Sequence, residues 1–409
     1  METEDVVFVL DPASDDVHAD SARLRQAGSL VPVEVEGVRA WAATRHDTLA
    51  AVLTHPDLSR DISHWDPAAR AAAPPDTAVT RLASDTSMLN AEGEAHHRLR
   101  APVSKAFTAR RVQKLRPRIA EFVACHLDRL AAMPPGVVDL RLEFAYPIPR
   151  DVISELMGVP GELRDELHKL TDVAARVGDT PDDVTDARRQ LRGLLDEIIE
   201  MRRDTPGEDL ITDLIAASEH DGADRLTRSE ARDTVELLFI AGHVTTVNLI
   251  TNASRVMLTH PDQLARVRSG EHPWSAVIEE TMRWDSPIAH FPMRYAVRDL
   301  EIEGVKLRKG EAVLGCFASA GRDPDHYGER AERFDVTAPT PTHLSFGHGP
   351  HFCLGAPLAR LEAEVALAAL FEAFPDLTLA ERGDGWRPLG TVLGNSTKNL
   401  PVLLGRRAA

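Results

Sequence analysis

The chain carries, at residues 346–355, the segment Phe346-Gly347-His348-Gly349-Pro350-His351-Phe352-Cys353-Leu354-Gly355. Its two inner glycines permit a tight loop with room for a bulky planar group against the backbone. Apolar residues recur at helical spacing from Ala356 to Phe371, so we predict a helix directly after the cysteine. The free N–H groups at the start of that helix favour a deprotonated Cys353 sulfur, the form of cysteine that binds a metal.

A lone cysteine in a glycine-rich turn is usually buried and inert. The surrounding residues argue otherwise, because they resemble the haem-binding signature of the cytochrome P450 family, Phe-Gly-x-Gly-x-His-x-Cys-x-Gly, at every position. The resemblance implies haem b (iron protoporphyrin IX) as cofactor and Cys353 as its proximal, metal-binding ligand. It also implies that Phe346 packs near the sulfur, that His351 reaches a haem propionate, and that Gly347 and Gly355 belong to the cofactor loop.

The composition is that of an acidic globular protein. The 409 residues carry a formal net charge of −17, which argues against a general nucleic-acid binder. No linker, repeat or low-complexity tract interrupts the sequence, so we expect a single domain spanning 1–409. No signal-like segment and no run of about 18 apolar residues is present, so we expect a cytoplasmic protein without a membrane anchor, and a monomer. The three cysteines suggest neither a disulfide framework nor a zinc site.

The coarse pattern is mainly α with small β-sheets. Alternating residues at 31–35 and 38–43 predict a small N-terminal sheet, and helical periodicity dominates from about 97 to 284. The β pattern returns at 295–305, at 312–317 and at 400–404. The resemblance implies the cytochrome P450 fold, a helical body with a long central distal helix.

The strongest helix pattern runs from about 229 to 260, with Thr227 and Glu230 as a capping box and Pro261 as the stop. About 32 residues at ~1.5 Å each give a rod of roughly 48 Å. Midway stands Ala241-Gly242-His243-Val244-Thr245-Thr246. A helical glycine costs about 1 kcal/mol relative to alanine, so Gly242 indicates either a flat ligand close to the backbone or close helix packing. Thr245 can bond back to the carbonyl of Ala241 and open a groove.

This segment resembles the P450 distal-helix motif Ala-Gly-x-(acid)-Thr-Thr. The resemblance implies catalytic roles for Ala241, Gly242 and Thr245, with Thr245 as the alcohol that helps deliver protons to bound dioxygen. Val244 stands where the family has Asp or Glu. Either His243, solvent or a substrate hydroxyl replaces that acid, or the chemistry has less need of prompt protonation.

Two further groups match the family. Glu280 and Arg283 lie three residues apart on one helix face and resemble the Glu-x-x-Arg motif, which implies a structural network with Arg333 behind the haem. An exposed pair of this kind is common and by itself proves nothing. The haem propionates need cations, and the resemblance assigns His96, Arg100 and Arg294 to them, against a plain solvated face or His97 in place of His96.

Residues 98–118 contain eight Lys/Arg and no Asp or Glu. A basic face steers acidic partners, and in P450s this region lies on the thiolate side, which implies docking of a ferredoxin served by a separate ferredoxin reductase. A solvated helix face with unrelated charges is the alternative.

The resemblance implies a haem-thiolate monooxygenase that uses O₂ and two electrons to hydroxylate a bulky, mainly hydrophobic small molecule, such as a macrolide or polyketide, a steroid or another secondary metabolite. The alternatives are oxidative cyclisation, coupling or desaturation, for which Val244 is the hint, and a thiolate-haem gas sensor or carrier. The apolar pocket candidates, each of which could equally be core, are Met88, Leu89, Leu238, Ala241, Ile288, Ala289, Val392 and Leu393.

Overall fold

The structure is a computed structural model made of helices and small sheets. It describes residues 7–75, 77–175, 181–219, 226–339, 342–380 and 386–408. The helices are α1 (Val17–Ala27), α2 (His46–Thr54), α3 (Pro67–Ala72), α4 (Ala78–Ala83), α5 (Gly93–Ser104), α6 (Ala109–Lys114), α7 (Arg116–Ala131), α8 (Pro147–Met157), α9 (Arg164–Ala175), α10 (Pro181–Asp204), α11 (Leu210–Glu219), α12 (Arg228–Thr259), α13 (Pro261–Arg268), α14 (Trp274–Trp284), α15 (Phe317–Ala320), α16 (Pro324–Tyr327) and α17 (Ala356–Ala373). The strands are β1 (Phe8–Leu10), β2 (Leu30–Val35), β3 (Val38–Ala43), β4 (Leu58–Ser59), β5 (Val137–Asp139), β6 (His290–Ala296), β7 (Leu300–Ile302), β8 (Val305–Leu307), β9 (Ala312–Cys316), β10 (Thr378–Leu379) and β11 (Pro401–Leu403). The mainly α class with small sheets is confirmed.

The largest sheet joins the N-terminal segment to strands between residues 290 and 316. Its six strands lie in the order β1-β2-β3-β9-β6-β4. β2 and β3 form the predicted N-terminal hairpin, and Glu36 and Gly37 at its turn have φ values of 48° and 79°. Both values are left-handed, as a two-residue turn of this kind requires. β9 pairs in parallel with β3 and antiparallel with β6, so strands after residue 290 complete a sheet that the sequence pattern placed only at the N-terminus.

Helix α12 confirms the predicted long helix to within a residue at each end. Thr227 Oγ1 accepts the N–H of Glu230 at 3.1 Å, and Glu230 Oε2 accepts the N–H of Thr227 at 2.8 Å, which is the expected capping box. The helix packs against α8, α14 and α17. Its length and composition would suit a membrane span, but 61% of its most apolar window is buried in the protein, as in the core helix of a soluble protein.

Helix α17 begins three residues after Cys353 and confirms the helix predicted there. It packs against α7, α12 and α14, and its buried leucines belong to the largest apolar core. The cysteine loop and the long helix are therefore anchored in the same core, which fixes one relative to the other.

Gly321 follows α15 where the chain passes close to α14, and a Cβ there would collide with the carbonyl oxygen of Arg283. We expect Gly321→Ala to lower the free energy of unfolding by more than about 2 kcal/mol, because two backbone segments cannot easily move apart.

Gly193→Ala in α10 is the matched control, since no described atom lies within 4 Å of the added Cβ. There we expect a gain of up to about 1 kcal/mol. Urea unfolding curves of the three proteins measure both effects, and equal stability of wild type and Gly321→Ala would contradict the first.

Candidate functional site

The cysteine loop has the tight geometry that its glycines predict. Gly347 and Gly349 have φ values of 77° and 74°, both in the left-handed region. The N–H of Cys353 donates to the carbonyl of Phe346 at 2.7 Å and closes the loop. A Cβ on Gly349 would lie 2.6 Å from the side chain of Thr54, so the loop also rests closely on the end of α2.

Two opposing effects act on the thiol of Cys353. The residue remains accessible to solvent, but the protein around it is close enough that burial raises the pKa of the thiol. The backbone N–H groups of Gly355 and Ala356 and the charges of Arg100 and Arg360 lower that pKa, and their sum is smaller than the effect of burial. The helix N-terminus therefore favours the thiolate, as predicted, but does not suffice alone. A bound metal cation deprotonates a coordinating thiol outright.

The residues assigned to the propionates lie together. The rings of His96 and His351 are 4.1 Å apart, and His351 Nε2 lies 3.3 Å from the carboxylate of Glu92. Arg294 Nη1 reaches the same carboxylate at 3.4 Å. Arg100 lies one turn after His96 in α5, where its charge lowers the pKa of that imidazole, and its Nη2 donates to the carbonyl of Phe352 at 2.6 Å, beside the cysteine.

Two members of this cluster were missed in the sequence. Buried Arg60 donates from Nη1 to the Leu89 carbonyl at 2.9 Å, and its backbone N–H donates to Glu92 at 2.9 Å. Burial and the charge of Arg294 lower the pKa of Arg60 to about 9. Arg60 follows β4, and only the pairing of β4 with β6 brings it to Arg294, so no local pattern could have found it.

Glu92 is the carboxylate that these cations share. Burial by itself would raise its pKa, but hydrogen bonds from His351 and the Arg60 N–H, with the charges of His351 and Arg294, hold the pKa at about 2. Glu92 lies one helical turn before His96, which is a signal that the sequence offered.

Three donors of the cluster lack partners. Nε of Arg60, Nε of Arg294 and Nε2 of His96 are buried and make no hydrogen bond to the described residues. Buried cations require paired acceptors, and a single carboxylate serves several of them here. The cluster therefore fits a ligand that brings further carboxylates, as a haem does with its propionates.

Across the long helix, one stretch is open. Ala241 is exposed and Val244 and Thr245 are half-buried, although most of the second half of α12 is buried. Thr245 Oγ1 donates to the carbonyl of Ala241 at 3.1 Å, which is the predicted back-bond. Residues four apart share a helix face, so Ala241 and Thr245 present a strip of small side chains.

The structure bears on two hypotheses about this segment. A Cβ on Gly242 would lie 2.9 Å from the side chain of Ile153 in α8, so close helix packing by itself accounts for the glycine, and a flat ligand close to the backbone there stays a prediction. His243 is buried, with Nδ1 2.6 Å from the carbonyl of Phe239 and its ring near that of His168. It lies two residues from Thr245 and thus on another face of the helix, so it does not take the place of the missing acid.

The Glu-x-x-Arg pair is buried rather than exposed. Arg283 donates to both carboxylate oxygens of Glu280, at 2.8 Å and 2.5 Å, and to the carbonyls of Gly321, Ala331 and Arg333 at 3.1, 3.0 and 2.6 Å. Arg333 thus joins the predicted network through its backbone, and its side chain is exposed. The network is present, but the guanidinium of Arg333 is not part of it.

The basic segment 98–118 lies beside the cysteine loop, because α6 packs on α17 and Arg100 bonds to Phe352. Half of its eight basic side chains pair with acids, however. Several of its arginines form ion pairs, namely Arg98 with Glu230, Arg111 with Asp213, Arg116 with Glu364, and Arg118 with Glu121 and Glu155. Lys105, Arg110 and Lys114 are exposed and pair with no acid among the described residues.

The pocket candidates do not all meet. The structure brings together Ile288, Ala289, Val392 and Leu393. The N–H of Ala289 donates to the carbonyl of Leu393 at 2.8 Å. Met88 and Leu238 are buried in the main helical core, and Leu89 is half-buried. As substrate contacts, all of them stay predictions.

Residues 176–270 and 274–402 match the family model described as Cytochrome P450. The chain belongs to the cytochrome P450 family. It is 38% identical over 420 residues to the 2-hydroxy-5-methyl-1-naphthoate 7-hydroxylase of Streptomyces carzinostaticus, with 98% of each chain covered. It is 36% identical to the 6-deoxyerythronolide B hydroxylase of Saccharopolyspora erythraea, over 97% of this chain and 99% of that one.

A solved P450 structure agrees closely with this one. Testosterone-bound CYP154C4 from Streptomyces sp. ATCC 11861 is 42% identical and superposes with a TM-score of 0.94, covering 99% of this chain and 100% of that one. The P450 fold and an oxidoreductase activity are thereby established, and the interpretation as a gas sensor or carrier is not supported. P450 proteins use haem, and the thiol of Cys353 with the orphaned donors near His96 fits that cofactor.

Proposed function

We propose that this P450 is a cytoplasmic monooxygenase, one domain spanning 1–409, that hydroxylates a bulky, mainly hydrophobic small molecule. The observation that carries this proposal is the strip of Ala241 and Thr245, which opens small side chains to a ligand midway along α12. Relatives named for hydroxylation of a naphthoate and of 6-deoxyerythronolide B support it, as does the testosterone-bound neighbour. The substrate class is therefore a macrolide or polyketide, a steroid or a related secondary metabolite.

Each side of the haem has its own residues. Cys353 would hold the iron, and the propionates would be held by His96, Arg100, Arg294 and His351, together with Arg60. When bound, thiolate-ligated haem supplies the iron at which O₂ is activated. On the other side, the Thr245 hydroxyl donates to the Ala241 carbonyl, so the lone pairs of its oxygen remain free to accept a hydrogen bond and to position a water that supplies protons. The grouped residues near Ala289 and Leu393 would form an apolar wall.

Thr245 tests this assignment. With haem, a ferredoxin, its reductase and a panel of macrolides and steroids, wild-type protein should yield a product containing one atom from isotopically labelled O₂. Thr245→Ala should lower product formed per reductant consumed by about tenfold or more, because a positioned proton carrier is lost. Thr234→Ala removes a similar back-bond, 2.7 Å to the Glu230 carbonyl, near the start of the same helix and should leave this ratio unchanged. If a substrate is consumed but none of its products contains the labelled oxygen, hydroxylation is contradicted. If wild type and Thr245→Ala form equal amounts of product per reductant consumed, Thr245 has no role in proton delivery.

A second candidate function rests on Val244. No carboxylate stands at that position, and His243 faces elsewhere, so proton delivery next to Thr245 depends on solvent or on a substrate hydroxyl. Oxidative ring formation, coupling and desaturation abstract hydrogen without returning hydroxyl to carbon, and slow protonation suits them better. A P450 30% identical to this chain is named for C–S bond formation in chuangxinmycin biosynthesis.

Val244→Glu separates the two candidates. If the enzyme hydroxylates and the missing acid limits proton delivery, Val244→Glu should raise product per reductant by about twofold or more. Val244→Gln is the matched control, because it has the same size and no acidic proton. A gain in both variants would indicate altered polarity rather than proton supply, and no change in either would remove Val244 from the argument.

The electron donor that we propose is an acidic ferredoxin that docks on the segment 98–118. Support comes from its place beside α17 and from the exposed Phe352, 42% accessible, next to the cysteine. Because most arginines there are paired, we assign the steering charge to Lys105, Arg110 and Lys114.

Reversal of two of these charges should weaken docking. We expect Lys105→Glu with Lys114→Glu to raise the KM for ferredoxin by about tenfold at low ionic strength, with the difference shrinking as salt is added. Lys306→Glu with Lys309→Glu, on exposed positions in and beside β8, is the matched control for the change in net charge. A similar KM for both double variants would place the ferredoxin elsewhere.

A further inference from the structure

A cluster outside the haem region contains two imidazoles and one carboxylate. His46 and Asp47 open α2, and His326 lies in α16. Nδ1 of His46 is 2.9 Å and Nδ1 of His326 is 3.2 Å from the same oxygen of Asp47. The ligand atoms of the three residues all lie within 4.8 Å of one another. We propose that His46, Asp47 and His326 bind one divalent transition-metal ion of the Zn²⁺ type.

The ligand set suits such an ion. Both Nδ1 atoms approach one oxygen of Asp47, and because the rings stack with centroids 3.4 Å apart and planes 21° apart, the exposed His326 ring must rotate about its side-chain bonds to aim its lone pair at an ion held by His46 and Asp47. Two nitrogens and one carboxylate oxygen favour Zn²⁺ and its neighbours over Mg²⁺ or Ca²⁺, which prefer oxygen ligands alone. Three protein ligands leave a fourth position for water, as at open zinc sites.

The far nitrogen of His46 faces the interior of the protein. Nε2 of His46 is buried and makes no hydrogen bond to a described residue, and the Thr342 carbonyl lies near the ring. A metal-binding histidine commonly directs its other N–H to such a carbonyl.

The nearby cation does not compete for the site. Arg45 precedes His46 and pairs with Asp323, at 3.7 Å, and with Asp325. Asp47 therefore keeps its oxygen for the two imidazoles. Its side chain is 85% exposed, so an ion has direct access from solvent.

A metal ion at this position would link two parts of the protein. α2 packs on β9 and on the cysteine loop, where Thr54 meets Gly349. α16 carries Tyr327, whose ring lies 5.2 Å from the guanidinium carbon of Arg283. An ion shared by His46 and His326 would thus join the helix that supports the loop to the segment that encloses the buried ion pair. A ligand that binds only the folded state stabilises that state.

The test uses haem-loaded protein, freed of metal with a chelator and dialysed against known concentrations of ZnCl₂. We expect wild type to retain one more zinc ion per chain than Asp47→Asn and His326→Gln do. The dissociation constant for zinc should be at least about 100-fold higher in each of these variants than in wild type. Both positions are exposed, so the variants should fold and keep their haem spectrum. Zinc should also raise the Tm of wild type and not that of Asp47→Asn.

His272→Gln is the matched control. His272 also neighbours a carboxylate, with Nε2 3.6 Å from Glu271, and no second imidazole of the described residues joins them. It should bind zinc as wild type does. Equal retention by all four proteins would mean an adventitious ion only, and no retention by wild type would mean that the imidazoles simply donate to Asp47; either result overturns the proposal. Neither depends on monooxygenase activity.

Discussion

The buried ion pair of Glu280 and Arg283 fixes the path of the chain between α14 and the cysteine loop. Both side chains are removed from water, which costs several kcal/mol per ion unless each donor and acceptor is paired. Arg283 meets that demand with the Glu280 carboxylate and three backbone carbonyls from residues 321–333. The segment that leads to Cys353 must therefore cross α14 in one conformation. Gly321 is part of the same constraint, since a side chain there would occupy the place of the Arg283 carbonyl.

A second polar cluster lies where that segment meets the N-terminal half. Arg60, Arg294, His96 and His351 surround one carboxylate, Glu92, and three of their buried donors have no partner among the described residues. Unpaired buried cations are costly, so this arrangement is built for a ligand with acidic groups. The two clusters have different roles. The pair of Glu280 and Arg283 fixes the backbone near the site, and the cluster around Glu92 leaves positive charges available to a cofactor.

The two sides of the haem site differ in how fully they follow the family. The cysteine side matches its pattern at every position, and the predicted loop and helix are both present. On the side of α12, Val244 removes the usual acid and His243 turns towards Phe239 and His168. Among the described residues flanking Thr245 on α12, Val244 therefore supplies no acid, and His243 lies on another face of the helix.

Much of this protein could be predicted from local pattern. The hairpin at Glu36-Gly37, the capped helix α12 and the helix after Cys353 follow from residues close together in sequence, because turn φ values, capping and periodicity are local properties. The tight loop at Cys353 and the back-bond of Thr245 to Ala241 belong to the same class. Contacts between distant segments could not be read in this way. Arg60 and Glu92 join Arg294 only through strand pairing, Arg333 joins Arg283 through a carbonyl, and Gly242 packs on Ile153. His46 and His326, 280 positions apart, meet because separate elements pack together, and nothing in either local sequence records the partner across the fold.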